Sequence, residues 1–109
     1  MPADARLGYL HEKLITARRI LMLPHAKGEP VSVASAFFEC DLGIRDIPET
    51  AFDEHALQYV RVIRRIMDCT GVVDPDKRGL FTVRAHQLTE LEKYEFSAAV
   101  DDLESCIAD

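Results

Sequence analysis

The chain has 109 residues, 48% of them hydrophobic and 29% charged, with a formal net charge of −6 and no tryptophan. These values fit one globular domain over 1–109 and exclude a disordered chain, which could not keep so much apolar surface wet. They also speak against nucleic acid, which needs a cationic footprint to displace counterions, and against a membrane span, which needs about 20 apolar residues in a row.

Apolar side chains recurring at steps of three and four predict four helices. The first runs from Asp4 to Leu23, with Leu7, Leu10, Leu14, Ala17 and Leu21 on one face. Ile15, Ile20 and Met22 widen that stripe, so the helix is expected at the centre of the fold. Pro24 stops it, and Lys27–Gly28 opens a turn. The second spans Pro30 to Leu42 and is expected to bury Val33, Ala34, Phe37 and Phe38. Gly43 then stands where a left-handed closing residue is wanted, with Ile44 folding back onto Phe38.

The third helix is predicted over Ala51–Cys69, with Thr50 and Asp53 as a weak capping box and Gly71 as its closing glycine. Ala56, Val60, Ile63 and Met67 form its apolar face. Asp74–Pro75–Asp76 and Gly79 are turn chemistry, and Leu80–Phe81–Thr82–Val83 is compatible with an extended segment. The fourth helix runs from Thr89, capped reciprocally by Glu92, to Ile107. Its apolar face is Phe96, Ala99, Val100, Leu103 and Ile107. The expected fold is all-α, an irregular four-helix bundle with room for a short extended segment at 80–84.

Patterns that resemble catalytic or metal motifs each lack an essential member. His11–Glu12 begins a helical zinc motif, but Ile15 occupies the place of the second histidine. Asp74, Asp76 and Gly79 match three positions of a calcium loop whose fifth and twelfth positions are Arg78 and Ala85. Cys40, Cys69 and Cys106 are too widely spaced for a zinc site, and an odd count makes a poor disulfide framework; they read as plain buried or half-buried thiols. Asp53–Glu54–His55 suits acid–base work but is explained by acidic preference for a helix N-terminus. His25, Asp53 and His55 are the residues to revisit if the protein held a metal. No metal site, cofactor or catalytic residue is therefore predicted. Charged residues also interrupt every apolar stretch near the N-terminus, so no signal peptide is expected and a cytoplasmic protein is.

The uneven feature is charge. Residues 86–109 hold Glu90, Glu92, Glu95, Asp101, Asp102, Glu104 and Asp109 against the single Lys93, whereas residues 1–85 are balanced. Asp101, Asp102 and Glu104 sit at the end of a helix that is already negative, a placement that costs each a few tenths of a kcal/mol. One reading is a solvated face partly offset by Arg18, Arg19 or the Arg61, Arg64, Arg65 cluster. The other is an acidic docking surface. No motif identifies a family, although size, charge and helicity resemble those of immunity proteins and antitoxins that neutralise basic toxins.

These readings lead to a non-catalytic protein-interaction module, in its most concrete form an immunity-like or regulatory inhibitor. Its acidic C-terminal helix would meet a basic protein partner through Glu92, Glu95, Asp101, Asp102 and Glu104. The competing expectations are a small enzyme or ligand-binding bundle, and a homo-oligomeric structural protein that buries the spare apolar residues of the first helix.

Overall fold

Backbone N–H and C=O groups that leave water must find partners, and helices satisfy them within one segment. The computed structural model describes residues 5–22 and 28–107, and these form five α-helices and no strand. They are α1 (Ala5–Met22), α2 (Glu29–Ile44), α3 (Glu54–Met67), α4 (Leu80–Gln87) and α5 (Glu90–Ile107). The predicted helix start at Asp4, the stop at Leu23–Pro24, the turn residue Lys27, and His25 and Asp109 lie outside the described residues.

Side-chain contacts fix the topology. Arg6 reaches the Asp46 carbonyl and Lys13 meets Glu39, so α1 and α2 run antiparallel. His11 meets Glu104 and Arg18 meets Asp101, so α1 and α5 are antiparallel too. Arg65 meets Glu95 on α5, while Arg64 donates to the Ile47 carbonyl just beyond α2. The C-terminal ends of α2 and α3 thus meet, α1 runs antiparallel to both α2 and α5, α2 and α3 touch only lightly, and α4 lies against α2. The core is apolar throughout. Leu10, Leu14, Phe37, Ile63, Ile66, Phe96, Val100 and Leu103 are fully enclosed, and each such side chain contributes roughly 2 kcal/mol of transfer free energy. Phe37 lies edge-on to Phe96 and Phe81, at 4.8 and 5.7 Å between centroids.

The segment at 80–84 is helical, not extended. The Asp74 carboxylate accepts the N–H groups of Arg78 and Gly79, which folds the loop and presents Leu80 as a helix start. A lone strand would have left its ladder groups unpaired, whereas α4 pairs them internally and sets Phe81 against Phe37 and Phe38. The steps from Phe81 to Ala85 to Leu88 carried that signal.

Other boundaries move for local reasons. Asp53 itself caps α3, accepting the Ala56 N–H at 2.7 Å, so the capping box predicted for Thr50 does not form and Glu49–Ala51 makes a separate 3₁₀ turn. Thr89 and Glu92 do form the reciprocal box: Glu92 Oε1 accepts the Thr89 N–H and Thr89 Oγ1 accepts the Glu92 N–H. Gly71 takes a left-handed φ of 79°, but in a turn four residues beyond the end of α3.

Gly43 does not close α2; it is buried inside it, where a Cβ would stand 2.7 Å from Leu10 Cδ1. Its missing side chain lets α1 and α2 cross closely. Phe38, expected in the core, is 53% exposed and stacks edge-on against Phe81. Nor is α1 enclosed all round: it packs between α2 and α5, with Ile15 and Met22 facing out.

Candidate protein-interaction surface

The capping box fixes where α5 begins, and its buried stripe of Phe96, Ala99, Val100 and Leu103 fixes its rotation. The acidic residues predicted to dock a partner are thereby distributed around its other sides. Four of the five meet a cation or histidine of another helix. Glu92 takes Arg84 of α4 at 3.2 Å, Glu95 takes Arg65 of α3 at 2.9 Å, Asp101 takes Arg18 of α1 at 2.8 Å, and Glu104 takes His11 of α1 at 3.2 Å. Asp102 is exposed and forms no ion pair with the described residues. The arginines of α3 are not the main counterweight: Arg61 and Arg64 share Glu49, and only Arg65 reaches α5.

Arg84 has the most constrained setting. Its Nε donates to the Ile66 carbonyl at the end of α3 while its other arm meets Glu92. One side chain thus links α3, α4 and the α5 cap. The Thr89 N–H, with Arg84 adding to it, holds the Glu92 carboxyl below its ordinary range.

What α5 leaves bare is apolar as well as acidic. Leu91 is 67% exposed and Tyr94 72%, one helical turn apart. Met22 at the end of α1 is 72% exposed. Met22, Leu21, Tyr94, Ser97 and Ala98 line a groove of about 390 Å³ between α1 and α5, with the Arg18–Asp101 pair in its wall. The charge distribution pointed to α5; the groove was not legible, because it depends on how α1 lies along α5.

The other candidates have structural partners. Asp53 is a helix cap, and His55 hydrogen-bonds Gln58 and lies edge-on to Tyr59. His11 is partly covered by α5, where it meets Glu104. Asp74 folds its loop onto N–H groups, as a turn aspartate does. All three cysteines are free; burial pushes the Cys40 thiol far up, and desolvation raises Cys69 and Cys106. Among the described residues, no group of three or more His, Cys, Asp or Glu is arranged to hold a metal, and no helix is long and apolar enough to cross a membrane. Comparison of the chain with protein-family models, curated proteins and solved structures found no match, so function has to be read from this surface.

Proposed function

We propose that this protein is a non-catalytic protein-interaction module that docks a partner on the outer face of α5 and the adjoining end of α1. The observation that carries the reading is the row of bare apolar side chains, Leu91, Tyr94 and Met22, beside the groove between these helices. Exposed aromatic and Met side chains supply contact area on release from water, and a polar rim sets orientation. Free carboxylate at Asp102 and the highly exposed Glu90 favour a partner with basic residues around an apolar centre. Nucleic acid is not the expected partner, since Arg61 and Arg64 are held by Glu49 and Arg65 by Glu95, which leaves little net positive charge on this cluster. A cytoplasmic setting suits three free thiols.

A photo-crosslinking residue placed at Tyr94 in the native cell should give a discrete adduct with another protein. The same probe at the exposed Gln58 of α3 should not, and Leu91→Lys should suppress the Tyr94 adduct. Equal labelling from both positions, or none from Tyr94, would refute the reading.

A further inference from the structure

The outer side of α1 carries a second surface of a different kind. Gly8, Glu12, Ile15, Arg19 and Met22 recur at steps of four, three, four and three, and all are exposed. They lie opposite the enclosed Leu10, Leu14 and Ala17, with α2 on one flank and α5 on the other. Ile15, Arg18, Arg19 and Met22 line a groove along this ridge.

We propose that two copies of this chain associate about a two-fold axis through this ridge, the two α1 helices crossing antiparallel over Ile15. The ridge is self-complementary in that register. Ile15 meets Ile15 of the second copy, Gly8 lies opposite its Met22, and Glu12, opposite its position 18, is one residue from its Arg19 and within reach of that long side chain, as Arg19 is of its Glu12. An isologous contact makes every such pairing occur twice, once on each side of the axis. Spacing of four and three is also what keeps one seam facing a partner helix along its length.

Two independent observations favour a second copy as occupant. The first is how the charges of α1 are used. Lys13, His11 and Arg18, which flank the neighbouring helices, are matched by Glu39, Glu104 and Asp101. Glu12 and Arg19, on the ridge, form no ion pair with the described residues, and they are opposite in sign and placed on either side of Ile15. The second is Gly8. A glycine within a helix lowers its stability, and among the described residues no atom lies within 4 Å of where a Cβ would stand, so no packing contact with them requires it. Across the two-fold it faces the bulky, exposed Met22, and a bare backbone there lets the helices approach.

Sedimentation velocity of the purified full-length chain, over a concentration series, tests the proposal. The expected species at high concentration has twice the 12.3 kDa chain mass. Glu12→Arg and Arg19→Glu should each weaken association about tenfold or more, because each places two like-charged pairs across the axis. The Glu12→Arg/Arg19→Glu double variant restores both pairs and should recover the dimer. Ile15→Lys should give a monomer with an unchanged helical circular dichroism spectrum, which separates loss of association from loss of fold. A chain that stays monomeric to about 1 mM, where even weak association would show, would overturn the proposal. So would a dimer indifferent to the single reversals, or a double variant no better than the singles. A Tyr94 adduct with a different protein, from a chain that sediments as a monomer, would remove this dimer and leave the α5 docking reading standing.

Discussion

Two glycines within helices provide a matched test of how α1 is packed. Replacing either Gly8 or Gly43 with alanine gains about 1 kcal/mol of intrinsic helix propensity. At Gly8 the new methyl enters open space, so the gain is kept. At Gly43 it would stand 2.7 Å from Leu10 Cδ1, 3.1 Å from Lys13 Cβ and 3.3 Å from Leu10 Cα. Leu10 is fully enclosed and has nowhere to swing, and the other two atoms move only with the α1 backbone. Overpacking of this kind costs about 1–3 kcal/mol, so the net effect of Gly43→Ala is a loss of about 1 kcal/mol. In a domain near this size, that lowers Tm by roughly 5 °C, while Gly8→Ala raises it by a similar amount. Both variants should be melted in the Ile15→Lys background, where self-association does not contribute. Gly43→Ala melting at or above Gly8→Ala would refute the close α1–α2 crossing.

Arg84→Met keeps the aliphatic stem but removes the donors to the Ile66 carbonyl and Glu92; the expected loss is about 2 kcal/mol in urea unfolding, and an unchanged midpoint would show that the link between α3, α4 and α5 is dispensable. Acid should weaken the fold through Glu92, held low first by the Thr89 N–H and then by Arg84, and through Asp68, held low by the Thr70 hydroxyl and N–H. Both carboxyls titrate lower folded than unfolded, so their stabilisation is complete above the ordinary carboxylate range and is lost as pH falls through the depressed values. Glu92→Gln should therefore lose stability less steeply on acidification than the parent, as read by urea midpoints between about pH 6 and pH 3.

The helical class was legible in the sequence because burial of one face imposes a period, and that period survives without knowledge of neighbours. Leu10, Leu14 and Ala17 of α1, Val60 and Ile63 of α3, and Phe96, Val100 and Leu103 of α5 were placed in the core on that ground and are enclosed. The Thr89–Glu92 cap was legible for a similar reason: both partners lie three residues apart, and the geometry closes locally. Tertiary structure decided what local pattern leaves open. Phe37 and Phe38 are adjacent and equally apolar, yet one fills the core and the other lies half exposed against α4. Gly43 has the composition of a helix end but serves a helix crossing, because α1 passes over it. The fate of the acidic residues of α5 was likewise undecided until Arg84, Arg65, Arg18 and His11 arrived from three other helices. A charge in a sequence gives the sign of a surface; whether it faces a partner depends on which opposite charge the fold brings within reach of it.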